Sequence, residues 1–296
     1  GGGCRRGRSG GGSGSRPGVR GVVREPAAAR ACLRRAAADL PKPAGAGIAG
    51  PGGPLANPGE ALEPLNMGRK NFPHLMLCVS TNGLALPELA GELARLGVSH
   101  VTVTINAARA ETAARIYRSI GDGKKRDRSG NSSEATLDSG PDAPRHPSGP
   151  ASPLPQTGGA PVILKSGLEG AARLLAAQRE GIAGLKNAGV AGKSNTVVLS
   201  GRNDGEVGEI AAMAAGLGAD LMNLIRHIPV PGTALGQLQP LPHERMAELR
   251  EECGAFIPQM RHCARCRADA AGLIGQKGRI SDFQPSGSRI LCRMER

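Results

Sequence analysis

Two cysteines near the carboxyl end of the chain give the most specific chemical signal in the sequence. Cys263 and Cys266 form a C-x-x-C pair within the stretch MRHCARCRAD. This spacing puts two thiolates within reach of one metal ion or one iron–sulfur cluster, and the neighbouring arginines would offset the negative charge of a cluster. A structural zinc site completed by Cys253, His262 or Cys292 explains the same spacing equally well.

Another cysteine lies inside a predicted strand. The run LMLCVS at residues 75–80 is typical of a buried strand, and period-two alternation puts Cys78 on the same face as Met76 and Ser80. A cysteine in the middle of a strand is usually a small core residue. Its position alone therefore favours packing over metal binding.

Glycines and polar residues follow several of the predicted strands. The loop GPGGPLANP could hold a carboxylate or a ribose through its backbone amides. The turn that contains Ser80 and Asn82 could serve a ligand, or could simply be a turn, because Asn-Gly favours positive φ. Strand propensity suffices to explain Thr102 and Thr104. Local hydrogen bonding suffices for His100 and His227, and packing on a helix suffices for Tyr117.

Strands and helices alternate along most of the chain and must position these residues. At least five strand–helix repeats predict an α/β fold with a parallel sheet and right-handed crossovers, in which chemistry takes place at the carboxyl ends of the strands. The predicted strands are 45–50, 75–80, 100–106, 195–200 and 220–228. The predicted helices are 26–40, 87–97, 111–120, 168–189, 205–218 and 243–254.

Charge is unevenly distributed along the chain. The net charge is +13, but residues 1–35 and 276–296 supply most of it, so the body between them is nearly neutral. The chain has one Tyr, three Phe and no Trp. Nucleic-acid-binding proteins usually combine a basic folded face with stacking aromatics. The sequence therefore disfavours nucleic acid as a partner. It also disfavours the alternative that the chain is a zinc-stabilised RNA-binding protein.

Composition also predicts the compartment and the domain boundaries. No apolar run approaches the roughly 18 residues of a transmembrane helix, and no signal peptide is evident at the start. The odd number of cysteines, 7, disfavours a disulfide framework and favours a reducing, cytoplasmic location. We predict a disordered start at 1–15, one α/β unit over 16–275 with a low-complexity insertion at 121–160, and a basic tail at 276–296.

Eight segments occur in the order seen in one protein family. They are SRPGV, GIAGPGGPLANP, LMLCVSTNGLALPE, HVTVTINA, IYRSI, GLEGAARLL, IPVPGTALG and MRHCARCRADAAGLIG. The chain resembles the NifB family of nitrogenase iron–molybdenum cofactor biosynthesis proteins, which are radical S-adenosylmethionine (SAM) enzymes. The resemblance runs from about residue 16 to 275, apart from the 121–160 insertion, and its diagnostic stretches are LCVSTNGLALP and MRHCARCRADAAGL.

The resemblance implies a fold, an activity and partners. The fold would be a partial (β/α)₆ radical-SAM-type barrel with a C-terminal cysteine-bearing extension. The activity, of lyase type, would fuse two [4Fe–4S] units with insertion of a carbide from SAM, to give the [8Fe–9S–C] precursor of the nitrogenase cofactor. Expected partners are an iron–sulfur cluster donor, nitrogenase cofactor-assembly proteins, and a reductant such as a ferredoxin or flavodoxin.

The resemblance also implies site residues. Cys263, Cys266 and Cys78 match cysteines that hold substrate clusters, which reverses the packing preference for Cys78. The family's C-x-x-x-C-x-x-C motif for the SAM cluster has one counterpart in this sequence, Cys4. The alternative is therefore a catalytically incomplete iron–sulfur carrier or a truncated copy. The positions that match the SAM pocket or lie on its rim are Gly52, Ser80, Asn82, Thr104, Ser194 and Asn195.

Overall fold

A computed structural model gives the architecture of most of the chain. It describes residues 31, 33–34, 45–48, 54–56, 58–117, 119–121, 164–229, 234–260 and 294–295. The predicted disordered start, most of the predicted insertion and most of the basic tail lie outside the described residues. So do the site candidates Cys4, Gly52, Cys263 and Cys266.

The described part of the chain alternates strands and helices. The strands are β1 (Gly45–Ile48), β2 (Met76–Thr81), β3 (Val98–Thr104), β4 (Ser119–Gly121), β5 (Leu164–Ser166), β6 (Ala191–Val198), β7 (Leu221–Arg226) and β8 (Met294–Glu295). The helices are α1 (Pro58–Asn71), α2 (Leu86–Arg95), α3 (Ala110–Ile116), α4 (Gly167–Asn187), α5 (Val207–Gly216) and α6 (His243–Gly254). Short 3₁₀ turns lie at Pro54–Ala56 and Asp204–Glu206.

The main sheet has its parallel strands in chain order. β1, β2, β3, β6 and β7 are successive neighbours, and every neighbouring pair among them is parallel. β8 pairs antiparallel with β1 at one edge. Beyond β7, Gln259 forms a parallel bridge with Met222. The Met222 amide donates to the Pro258 carbonyl at 2.9 Å, and the Met260 amide donates to the Met222 carbonyl at 2.7 Å. Residues 258–260 thus occupy a sixth parallel position.

All the large helices cover the same face of this sheet. One hydrophobic cluster joins side chains from α1, α2, α4, α5 and α6 to the strand residues that point toward them. A doubly wound sheet would have helices on both faces, whereas a barrel has them on one. The α/β fold prediction is confirmed, and the arrangement is compatible with a partial radical-SAM-type barrel. The helix residues with the least exposure in this cluster include Leu65, Leu93, Leu185, Ile210 and Leu249.

Several local features differ from the predictions. Helix α1 was not predicted, because Pro58, Pro64 and two glycines hide a helical face on which Ala61 and Leu65 are buried. Strands β3 and β6 begin earlier than predicted. In β6, pairing with β3 recruits Ala191, Gly192 and Lys193, which have little strand propensity of their own.

The predicted helix 111–120 also ends early, at Ile116. Tyr117 adopts an extended conformation, with φ −105° and ψ 116°, and its amide donates to the carbonyl of Ala113 at 2.8 Å. Residues Ser119–Gly121 then form β4, which pairs antiparallel with β5. This pairing places Gly121 next to Leu164.

No helix in the described part of the chain is long and apolar enough to cross a membrane.

The contact between α2 and α4 yields a test of the packing. A Cβ built on Gly181 would overlap the Cβ of Leu86 and come within 3.2 Å of its Cδ1, whereas nothing lies within 4 Å of a Cβ on Gly91. Helix propensity favours alanine over glycine at both positions by about 1 kcal/mol. We expect Gly91→Ala to raise the free energy of unfolding and Gly181→Ala to lower it by roughly 1–3 kcal/mol through overpacking. Urea unfolding measures both, and a stabilised Gly181→Ala would contradict the close helix approach.

Candidate functional site on the polar face of the sheet

The face of the sheet turned away from the helices carries polar side chains. In neighbouring parallel strands, residues that share a register position point to the same side. Cys78 on β2 is the register partner of His100 on β3. Ser80 on β2 is the partner of Thr102 on β3, which pairs in turn with Lys193 on β6. Thr104 on β3 is the partner of Asn195 on β6, which pairs in turn with Asn223 on β7. We call this set the polar face: Cys78, Ser80, His100, Thr102, Thr104, Lys193, Asn195 and Asn223. The alternate residues of the same strands form the hydrophobic cluster under the helices.

Cys78 lies on the polar face rather than in the core. Its strand neighbours Leu77 and Val79 are 2% and 1% exposed and belong to the hydrophobic cluster, while Cys78 is half-buried and does not. The core packing favoured by its position alone is therefore wrong. A Cβ on Gly47, its register partner in β1, would come within 2.6 Å of the Cys78 Sγ. The absence of a side chain at Gly47 is what leaves room for the thiol.

Thr104 and Asn195 are brought together as register partners in the middle of the sheet. Asn195 accepts a hydrogen bond of 3.1 Å at its Oδ1 from the Nδ2 of Asn223, the next residue across. Ser194, predicted for the same pocket, points to the opposite face. It is fully buried, and its Oγ has no hydrogen-bond partner in the described structure.

The turn after β2 is built by side-chain hydrogen bonds to its own backbone. Thr81 Oγ1 accepts from the Gly83 amide at 3.1 Å, and Asn82 Oδ1 accepts from the Leu84 amide at 3.0 Å. Gly83 has φ +89°, a conformation that favours glycine. The turn-forming role considered for Asn82 is confirmed, and its side-chain oxygen is engaged within the turn.

Gln178 holds the carboxyl ends of β2 and β3 in place. This α4 residue is 1% exposed, and its Nε2 donates to the carbonyls of Asn82 at 2.7 Å and Thr104 at 2.9 Å. Sequence reasoning missed it. The available signal was a polar residue at helical spacing between Leu174 and Ile182, on the buried side of an amphipathic helix.

Two asparagines that follow strands tie β3 to β6 in the same way. Asn106 accepts from the Val197 amide at 2.9 Å and donates to the Tyr117 hydroxyl at 3.0 Å. Asn203 donates to the carbonyls of Asn106 at 2.8 Å and Val197 at 2.9 Å. Burial raises the pKa of Tyr117 to about 12, so its hydroxyl keeps its proton. Tyr117 is thus part of a hydrogen-bonded rim and not only a packing residue.

A buried carboxylate fixes the loop that follows β3. Glu206 accepts from the Ala108 amide at 3.1 Å and from the Thr112 hydroxyl. The Arg109 guanidinium lies 4.0 Å from the same carboxylate and pairs with Glu209 on α5. This carboxylate therefore joins the loop after β3, α3 and the start of α5.

Comparison with known proteins decides the family. No protein-family model matches the chain. The chain is 36% identical over 263 residues to the FeMo cofactor biosynthesis protein NifB of Chlorobaculum tepidum, covering 88% of the chain and 53% of that protein. It is 36% identical over 267 residues to NifB of Klebsiella pneumoniae, covering 88% and 49%. It is 32% identical over 268 residues to NifB of Methanocaldococcus infernus, covering 90% and 75%.

The chain belongs to the NifB family. It spans about half the length of the first two relatives named above and three quarters of the third. The matched regions include β2 and β3, which carry Cys78 and Thr104, and the β6–β7 pair, which carries Asn195 and Asn223, since about nine tenths of the chain is covered.

The metal ligands predicted from the sequence lie only partly within the described residues. The described residues contain no group of three or more His, Cys, Asp or Glu side chains that could hold a metal ion. Cys78 is the one predicted metal ligand among them; Cys4, Cys263 and Cys266 lie outside. Cys253 does not fit the zinc alternative. Burial raises the pKa of its thiol to about 11, and its Sγ donates to the Val207 carbonyl at 3.6 Å within the core.

His227 follows directly after β7, at the carboxyl edge of the sheet. It is 8% exposed, and its Nδ1 has no hydrogen-bond partner in the described structure, so the local hydrogen bonding expected for it is wrong for this nitrogen. Burial lowers the pKa of His227 below its ordinary value of 6.5. The side chain is therefore a neutral imidazole at neutral pH, able to accept a proton or a hydrogen bond.

The lowered pKa of His227 predicts a pH dependence of stability. The unfolded chain binds this proton at a higher pH than the folded chain does, so stability falls as pH drops through about 6.5 toward the lower folded pKa. We expect His227→Gln to flatten the dependence of the unfolding free energy on pH between about 7 and 5.5. Urea unfolding at a series of pH values measures this. The exposed His243→Gln is the matched control, and an equal flattening in both variants would contradict the assignment.

Proposed function

We propose that this chain takes part in FeMo cofactor biosynthesis, as the names of its relatives state for them. In this proposal it holds iron–sulfur units as substrate, together with SAM, against the polar face. The observation that carries the proposal is the location of Cys78. A thiol on the polar face, with Gly47 leaving space beside it, can reach a bound cluster, whereas a thiol under the helices could not.

The residues divide into two groups by chemistry. Cys78, Cys263 and Cys266 would bind iron through thiolate sulfur, and Cys4 would contribute to the cluster that binds SAM. The SAM pocket would use neutral hydrogen-bonding groups, among which Thr104 and Asn195 are adjacent. Ser80 shares their face one strand away, and Gly52 follows β1 in the sequence. Asn82 would contribute through the shape of its turn. Ser194 points to the opposite face and would not contact the ligand.

The finer form of the proposal is the reaction implied by the family resemblance. It is a SAM-dependent, lyase-type radical fusion of two [4Fe–4S] units with carbide insertion, yielding an [8Fe–9S–C] precursor. When bound, SAM would supply the carbon atom and the radical chemistry. An iron–sulfur cluster donor, a reductant such as a ferredoxin or flavodoxin, and cofactor-assembly proteins would be its partners.

This chain's own residues would keep the site rigid and dry. Gln178, Asn106 and Asn203 use their side chains to saturate backbone groups at the ends of β2, β3 and β6. Backbone groups bonded in this way do not need water, so the carboxyl edge can close around a reactive ligand.

The first test separates an enzyme from a carrier. The chain is reconstituted anaerobically with iron and sulfide and reduced with dithionite, and release of 5′-deoxyadenosine from SAM is measured beside bound iron. Release above that of Cys4→Ala supports the radical SAM activity. Bound iron without release would contradict that activity and favour the catalytically incomplete iron–sulfur carrier, since cluster binding would then be intact.

The same preparation tests Cys78. We expect Cys78→Ser to bind measurably less iron than the wild type, because a serine hydroxyl is a poor iron ligand. Cys253→Ala is the matched control, since it removes a cysteine from the core and should leave bound iron unchanged. Equal iron content in wild type and Cys78→Ser would contradict the role of Cys78.

Gly47 gives an independent test of the same site. Because a Cβ at this position would lie 2.6 Å from the Cys78 Sγ, Gly47→Ala must displace the thiol. We expect bound iron to fall between the values for wild type and Cys78→Ser, with the cooperative unfolding transition preserved. Iron content equal to wild type would show that the position of the thiol does not matter for binding.

A further inference from the structure

A buried pair of asparagines lies at the β6–β7 side of the polar face. Asn195 on β6 and Asn223 on β7 are register partners, and they are 8% and 2% exposed. The Nδ2 of Asn223 donates to the Oδ1 of Asn195 at 3.1 Å. This bond fixes the orientation of the Asn195 carboxamide, since its oxygen faces Asn223 and its Nδ2 must then face away from Asn223.

Asn223 carries a buried polar atom without a partner. Its Oδ1 accepts no hydrogen bond from the residues that the structure describes. The buried Asn203 shows the usual situation, because its Oδ1 accepts from the Leu199 amide at 2.7 Å while its Nδ2 reaches two carbonyls. A buried acceptor that is left unsatisfied destabilises the folded state, and folded proteins avoid it except where a water or ligand completes the bond.

The two side chains together present a defined hydrogen-bonding pattern. Asn195 offers an N–H donor and Asn223 offers an acceptor, and the pair is uncharged. A carboxylate or phosphate would be repelled by the Asn223 oxygen. A hydroxyl group fits, since it can donate to Asn223 Oδ1 and accept from Asn195 Nδ2. Thr104, on the other side of Asn195, adds a further hydroxyl to the row.

We propose that Asn223 is a further residue of the ligand pocket, which orients Asn195 and accepts a hydrogen bond from a sugar hydroxyl of the ligand. The inference rests on the proposed function, in which the hydroxyls belong to the ribose of SAM. Asn223 was not among the residues indicated by the sequence. It is a binding residue through its Oδ1 and a positioning residue through its Nδ2.

Three substitutions separate these roles. Asn223→Leu removes both hydrogen bonds and the unsatisfied oxygen. Asn223→Asp keeps acceptors but cannot donate, so the Asn195 carboxamide must reverse. The ligand then meets two acceptors in place of one donor and one acceptor. Asn195→Asp still accepts from Asn223 but loses the donor to the ligand. Asn71→Asp is the matched control, because this residue is exposed on α1 and bonds only to the Met67 carbonyl.

Binding is measured by calorimetry on the reconstituted full chain, with S-adenosylhomocysteine, adenosine and 2′,3′-dideoxyadenosine as probes. We expect Asn223→Leu, Asn223→Asp and Asn195→Asp each to weaken binding of S-adenosylhomocysteine and adenosine by about 10-fold or more. The dideoxy probe should bind equally weakly to wild type and Asn223→Leu. The thermal midpoint of Asn223→Leu without ligand should change little, because the unsatisfied Asn223 oxygen is removed while the Asn195 oxygen loses its donor.

The outcomes distinguish this inference from the function on which it rests. If wild type binds the nucleosides and the Asn223 variants bind them equally well, the inference is wrong and the SAM pocket stands. A lowered thermal midpoint with unchanged affinity would assign Asn223 a purely structural role and also overturn it. If wild type binds neither S-adenosylhomocysteine nor adenosine, the proposed SAM pocket fails, and the ribose assignment fails with it.

Discussion

The strict alternation of side chains along the parallel strands is the constraint on which the rest of the structure depends. The major crossover helices all pack on the same face of the sheet. The strand residues that point to this face must therefore be mainly aliphatic, whereas the alternate residues on the opposite face do not contact these helices. With one Tyr, three Phe and no Trp in the whole chain, that packed side is made mainly of Leu, Ile, Val, Ala and Met. The opposite side can then carry a thiol, hydroxyls, an ammonium group and carboxamides in register.

Polar side chains at the carboxyl edge perform a second task that aliphatic residues cannot. Parallel strands end with backbone groups that have no hydrogen-bond partner in the sheet. Here side-chain carboxamides from a helix and from two loops form hydrogen bonds with these groups. The resulting rim joins elements that are far apart in sequence, such as Gln178 with Asn82 and Asn203 with Asn106. The shape of the edge therefore depends on a few carboxamides, each of which contacts two elements.

Most of the strands and helices could be predicted from the sequence, but the tertiary contacts of their side chains could not. β-branched and aliphatic runs such as HVTVTIN identify strands, and α6 was predicted with its observed bounds. Alternation placed Cys78, Met76 and Ser80 together, but a periodic pattern does not say which face meets the helices, so the core assignment of Cys78 failed. The helical pattern puts Gln178 on a buried side, but the partners of Gln178 and Asn203 could not be predicted, because they include carbonyls about 70 to 100 residues away in the chain. Pro64 concealed α1, since proline inside a helix is normally destabilising.

The β4–β5 pair has a consequence for how this protein can change. Antiparallel pairing holds Gly121 beside Leu164, so the ends of the intervening segment are fixed by the body and not by the segment itself. Closing a loop of twice the length costs only about 0.6 kcal/mol more. The pairing of β4 with β5, and not the length of the segment between them, therefore sets the distance between its two ends. A change in the length of the segment carries only a small entropic cost as long as β4 and β5 remain paired.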